Sequence, residues 1–317
     1  MLTSPMQPPL PNLFALIVGI GAYQRVRPLK GPVNDAQAVA TYLRGLTTFS
    51  VDVRLLTDEQ ATKAAIADGF ITYLSQAKAT DTVVFYFAGH GVQEEADPTL
   101  WFQESDGMLE CLVCHDANTT NTWDFLLADK ELRYLIGQVS ATGAHVVTLF
   151  DCCHSGDNTR ATELLTEALA GQDVRERRLA QAAPRRPYEA FCFQDSISAD
   201  QLTTQGIDTV LPESHHVQIS ACESDQTALE VNGAGVFTQN LLGVLTASHG
   251  QISYGDLHNR VRQYMRFAYE QCPRVYVPDL SETGSGAAQS MRMGFLNQPI
   301  DPDTLMASAA YNASNLY

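Results

Sequence analysis

Three short runs constrain the fold most: residues 14–20 (FALIVGI), 81–87 (DTVVFYF) and 145–150 (HVVTLF). Each is nearly continuous in apolar residues and rich in β-branched or aromatic side chains, and each is short for a helix. Each halts at glycines or at reactive side chains. Gly19 and Gly21 close the first, Gly89-His90-Gly91 the second, and Asp151-Cys152-Cys153-His154 the third. A strand that is apolar on both faces needs cover on both faces, which is the condition of a parallel sheet. Residues 52–56 and 216–220 add alternating strands, and MLECLVC (residues 108–114) reads as another. Helical spacing runs over 34–43, 62–74, 129–139, 236–245 and 254–267. Strands alternating with helices predict an α/β architecture with a mainly parallel sheet. Sites in such sheets lie beyond the carboxyl ends of the strands. His90 and the Cys152–His154 cluster are therefore expected at one edge.

Length and charge narrow the function. The 317 residues are 45% apolar, enough for a sizeable core. No apolar run approaches the roughly 18 residues of a membrane helix. No Lys or Arg precedes Arg25, so a basic leader is absent from the reading and a cytoplasmic location is expected. A net charge of −16 disfavours nucleic acid and anionic membrane as partners and favours basic ligands. Seven cysteines, an odd number without a leader, point to thiols rather than a disulfide scaffold.

Cysteine attacks as thiolate, and a histidine can take its proton. The intermediate then needs backbone N–H donors, which a glycine turn leaves unobstructed. YFAGHG and DCCHSG supply these parts at adjacent strand ends, with either cysteine of the pair available as nucleophile. A histidine roughly 60 residues before the cysteine is what a caspase-type arrangement needs.

In order along the chain, ALIVGIGAY, GPVNDA, FYFAGHG, LFDCCHSG and ISACESDQTALE resemble the caspase-like cysteine peptidases. Metacaspases and bacterial orthocaspases are the nearest match, over about residues 13–247. The resemblance implies a three-layer caspase–haemoglobinase fold with a six-stranded sheet and helices on both faces. It implies Cys153 as nucleophile with Cys152 as its packing neighbour, His90 as the catalytic histidine, and Gly91 with the N–H of Cys153 as oxyanion hole. Ala88 departs from the serine that many metacaspases carry there. Asp151, joined by Asp35 on the family pattern, would form an acidic first pocket. Two carboxylates on one guanidinium favour cleavage after Arg, less well after Lys. The alternative is an inactive caspase-like scaffold that binds partners through the same cleft. By resemblance, such enzymes act in bacterial stress, cell death or antiviral defence.

Five of the 20 basic residues fall within residues 175–186: Arg175, Arg177, Arg178, Arg185 and Arg186. The stretch around them, about 172–190, has no clean period and reads as an exposed, mobile loop. In this family activating cuts fall there, so a zymogen cut by itself or by an upstream protease is expected, with Arg- or Lys-bearing proteins as substrates. Ser220, Cys222 and Asp225 are expected beside the substrate cleft. Asp106, Glu110 and Asp116 loosely match the family's calcium segment, so Ca2+ is an option, although no cofactor is required. Cys111, Cys114 and His115 spell CxxCH, a haem or zinc spacing with no supporting ligand set. The expected organisation is an extension over 1–12, a peptidase domain over 13–296 and a tail or linker over 297–317.

Overall fold

The computed structural model describes residues 9–116, 120–154, 171–223, 226–269, 271–277 and 291–300. In chain order these form β1 (Asn12–Gly19), α1 (Pro32–Arg44), β2 (Ser50–Thr57), α2 (Lys63–Asp68), β3 (Thr82–Ala88), β4 (Gly91–Glu95), β5 (Met108–Val113), β6 (Leu126–Ala128), α3 (Asp129–Ser140), β7 (His145–Asp151), β8 (Val174–Glu176), α4 (Ala199–Gln205), α5 (Ile207–Val210), β9 (His216–Ser220), β10 (Leu229–Val231), β11 (Ala234–Gly235), α6 (Val236–Ala247), α7 (Tyr254–Tyr269) and β12 (Arg274–Tyr276).

A six-stranded sheet of order β12-β9-β7-β3-β1-β2 forms the middle layer. All its pairings are parallel except β12 against β9. Period-2 alternation divides each central strand between two cores. Val83, Phe85 and Phe87 of β3 join Phe70, Leu135 and Val139 on one face. Val84, Tyr86 and Ala88 join Val39, Leu241 and Leu257 on the other. The result is an α/β fold with a mostly parallel six-stranded sheet between helices.

Register sets the position of the chemistry. Gly19 of β1 pairs with Ala88 of β3, and Ala88 pairs with Asp151 of β7. The three strands end level, so the turns after β3 and β7 emerge side by side. Two small three-stranded sheets flank that edge, β4-β5-β6 and β11-β10-β8.

Several expectations need correction. The helix expected over 62–74 is α2 followed by a π turn at Gly69–Tyr73 and a short 3-10 turn. Gly69 packs so closely on Leu16 that a Cβ would lie 2.6 Å from a Leu16 methyl. The arginine-rich stretch is not an exposed loop. Arg177 and Arg186 are buried, and β8 is paired into a sheet. Unpaired charge cannot be buried, so these arginines order the segment by drawing it onto carboxylates. The domain also runs past 296, because Gln298 is buried and its side-chain oxygen accepts a bond from Thr48 at 2.9 Å. No helix of the described residues is long and apolar enough to cross a membrane.

Candidate active site

His90 leaves β3 after Gly89 and is buried at the sheet edge. Its Nε2 lies 2.7 Å from the Arg27 carbonyl. A carbonyl only accepts, so Nε2 carries the hydrogen in the neutral ring. Nδ1 is then the basic nitrogen, and it has no hydrogen-bond partner among the described residues. Tyr23 fixes the turn: its hydroxyl accepts the His90 N–H at 3.0 Å and donates to the Val113 carbonyl. Burial holds the His90 pKa below its ordinary value, so the imidazole stays neutral at pH 7.

Cys153 is buried and its thiol donates to the Gln226 carbonyl. Cys152 packs into the core beneath α3, and burial pushes its thiol well above the ordinary range. A thiol that resists ionisation is a poor nucleophile. Cys222 lies against Cys153, and that hydrogen bond together with burial pushes the Cys222 thiol up. Ser220 and Cys222 line a cavity of about 460 Å³ beside Cys153 and His154. Asp225 lies outside the described residues.

One of the chain's own arginines sits between these groups. The Arg177 carbonyl oxygen accepts two hydrogen bonds, from Gly91 N at 3.1 Å and Cys153 N at 3.2 Å. On either side the backbone is clamped: Arg177 N donates to the Ala228 carbonyl at 2.9 Å, and Leu179 N donates to the Gly91 carbonyl at 2.9 Å. β8 pairs antiparallel with β10 just upstream. Two N–H groups converging on one peptide oxygen beside a thiol is the geometry that stabilises an oxyanion.

The Arg177 side chain is fully buried among three carboxylates. Nη1 lies 2.9 Å from Asp151 Oδ2, Nη2 bonds Asp35 Oδ2, and Nη2 is 3.6 Å from Glu230 Oε2. Helix N-termini hold these acids, where N–H groups favour negative charge. Asp35 accepts the Gly235 N–H that opens α6, and Asp151 accepts the Thr238 N–H and O–H. Glu230 accepts Lys30 N at 2.8 Å and Gly31 N at 3.0 Å, at the start of α1. Burial raises Asp35 to about 6, against the pull of Arg177. Burial opposes the charge on Arg177, but Asp151 and Asp35 outweigh it and raise its pKa.

The other arginines do different things. Arg175 donates to the Pro28 carbonyl at 2.7 Å, and Arg178 bonds Glu176 at 2.9 Å. Arg185 is exposed, 3.9 Å from Asp97. Arg186 is buried, bonding Glu94 at 2.6 and 3.0 Å and Glu131 at 2.7 Å, with its guanidinium over the Phe191 ring. It is a structural anchor, not a presented cleavage point.

The residues expected for calcium are each engaged elsewhere. Asp106 bonds Met108 N, Glu110 faces His154, and Asp116 accepts Lys63 N. Among the described residues no group of three or more His, Cys, Asp or Glu could hold an ion. Cys111 and Cys114 are buried thiols raised by desolvation, and His115 Nε2 bonds the Ala22 carbonyl.

Glu230, Thr238, Gly235 and the Arg27 carbonyl were not singled out by sequence reasoning. Glu230 left one trace, an acid inside the apolar ALEV just before an Asn-Gly turn. Backbone groups leave none.

The model of the caspase domain matches residues 12–283. Metacaspase-1 of Lodderomyces elongisporus is 24% identical over 290 residues, covering 82% of this chain and 64% of the relative. Metacaspase-1 of Candida albicans is 25% identical with the same coverage. The chain thus spans 64% of the length of these relatives. Metacaspase-1A of Aspergillus clavatus is 30% identical over 149 residues, 45% of this chain and 33% of the relative. A crystal structure of a Geobacter sulfurreducens protein superposes with a TM-score of 0.61 at 21% identity, covering 87% of this chain and 97% of that one.

Proposed function

The chain belongs to the caspase-domain family, and from that premise we propose that it is a cysteine endopeptidase that cuts after Arg and first cuts itself between Arg177 and Arg178. Arg177 carries the reading: its guanidinium fills a pocket of three carboxylates while its carbonyl oxygen takes the N–H groups of Gly91 and Cys153. The segment lies as a substrate would lie, and Arg177 stands in for a substrate arginine.

The steps follow from the atoms. His90 Nδ1 takes the Cys153 proton, and the sulfur adds to the Arg177 carbonyl carbon. The oxygen gains charge between the Gly91 and Cys153 N–H groups. The C–N bond to Arg178 breaks as the imidazolium returns its proton to the leaving amine. Water, deprotonated by His90, then adds to the thioester, and its collapse restores the thiol and leaves Arg177 as a carboxylate. The Arg27 carbonyl keeps Nε2–H in place throughout. Lysine is a weaker fit, since an ammonium lacks the planar fork that reaches several carboxylates at once.

Burial favours cutting in cis. Arg177 has no exposed surface, so another protease has no access to its side chain in the intact protein. The two pieces stay together through the pairing of β7 with β9 and through the Arg186 cluster, while residues 174–177 must leave the β10 ladder and the pocket before a substrate enters.

A covalent acyloxymethyl ketone peptide ending in Arg tests the reading. It should label Cys153 in the cut protein and be refused by the uncut one. Labelling that ignores the cut, or no labelling of Cys153 in either form, would overturn it.

A further inference from the structure

We propose that Glu230 also reads a second basic residue, the third before the cut, so that the preferred sequence is apolar-Arg-x-Arg rather than any arginine. This rests on the proposed function, with residues 174–177 taken as the bound substrate.

In the antiparallel ladder Val231 pairs with Val174, Glu230 with Arg175, and Leu229 with Glu176. Alternate side chains of a strand share a face, so Arg175 and Arg177 lie on one side and Val174 and Glu176 on the other. Glu230 stands between the two arginines. Its Oε2 is 3.6 Å from Arg177 Nη2, and its Oε1 is 3.9 Å from Arg175 Nε. The carboxylate is fully buried and cannot swing, because Lys30 N and Gly31 N pin one oxygen each.

The third-residue site has a second wall. Arg175 Nη1 donates to the Pro28 carbonyl at 2.7 Å, a charge-assisted bond to fixed backbone. Its remaining partner, Asp173, belongs to the segment itself. Only a long cation reaches both the Pro28 carbonyl and Glu230. Val174 packs against the second core, so the fourth residue is apolar. Glu176 pairs with Arg178 of the same segment, which leaves the second residue unspecified by this contact.

The test uses the cut, active protein and fluorogenic peptides Val-X-Glu-Arg with X as Arg, Gln or Glu. The charge-assisted bond to Pro28 and the nearby Glu230 charge together set the scale, so Arg at X should raise kcat/KM about tenfold over Gln, with Glu worse still. In Glu230→Gln the Pro28 bond remains and the carboxylate charge is gone, so the Arg-to-Gln ratio at X should fall by about threefold. Because that ratio is taken on one enzyme preparation, loss of folded protein cancels from it. Equal cleavage of all three peptides, or an undiminished ratio in Glu230→Gln, overturns this inference and leaves cutting after Arg standing. Failure to cut any peptide ending in Arg overturns both.

Discussion

Replacing Asp151 by Asn removes one charge from the proposed first pocket and keeps its shape. Asp151 Oδ2 lies 2.9 Å from the bound guanidinium, and both groups are shielded from water. The same oxygen takes the Thr238 N–H and O–H, which an asparagine oxygen can still do. The variant therefore isolates charge from packing. Breaking a buried ion pair from one side costs about 3–5 kcal/mol. Asp35 and Glu230 remain beside the guanidinium, so the lower figure applies, about 3 kcal/mol. That corresponds to roughly a hundredfold loss in kcat/KM for peptides ending in Arg. The assay compares such a peptide with its citrulline counterpart, a neutral isostere of arginine. The Arg-to-citrulline ratio should collapse by about the same factor, and near-normal thermal unfolding would show the fold intact. A ratio that changes less than about threefold would refute the assignment of Asp151 as a pocket charge.

Other outcomes follow from the same geometry. Gly235→Ala places a methyl 2.7 Å from the Arg177 Nη1 position and closer still to Asp151; it should abolish cleavage after Arg in a protein that still folds, and normal turnover would contradict the pocket's shape. The charge of a bound arginine lowers the Asp35 pKa, which stands near 6 with Arg177 in place. Protonating Asp35 must therefore oppose arginine binding, so KM for Arg peptides should rise as pH falls through the higher pKa of the empty pocket toward about 6, and level off below it. Asp35→Asn should flatten that rise, and an unchanged profile in the variant would remove Asp35 from the pocket. Arg186→Met leaves Glu94 and Glu131 buried without their guanidinium and should cost about 3–5 kcal/mol in urea unfolding of the Cys153→Ala protein; a loss below about 1 kcal/mol would show that the anchor is dispensable. The cut protein should elute as one species by gel filtration and separate only on denaturing gels; fragments that part in native buffer would contradict the two anchors.

The sheet was legible because its signal is local. Continuous apolar runs ending at Gly89 and Asp151 announce buried parallel strands, and the rule for strand ends then brings His90 beside Cys153. Asp35 and Asp151 came only through family resemblance, since a carboxylate at a helix start or a turn has an ordinary local use. Glu230 is harder still, because its role depends on a ladder with residues far away in sequence. The clearest failure is the arginine-rich stretch. Polar composition and two prolines describe a solvated loop, and no window of sequence shows that three acids wait for Arg177 or that Glu94 and Glu131 wait for Arg186. Composition reports what a segment could leave in water, whereas burial is decided by partners contributed from elsewhere in the chain.

The central claim is that Arg177 occupies its own active site as a substrate. Intact-mass and fragment mass spectrometry of the wild-type and Cys153→Ala proteins tests it most directly. The wild type should yield two pieces meeting between Arg177 and Arg178, and Cys153→Ala should stay whole. A Cys153→Ala protein cut at the same bond, or a wild type cut at Arg185 with the Arg177–Arg178 bond intact, would contradict the account.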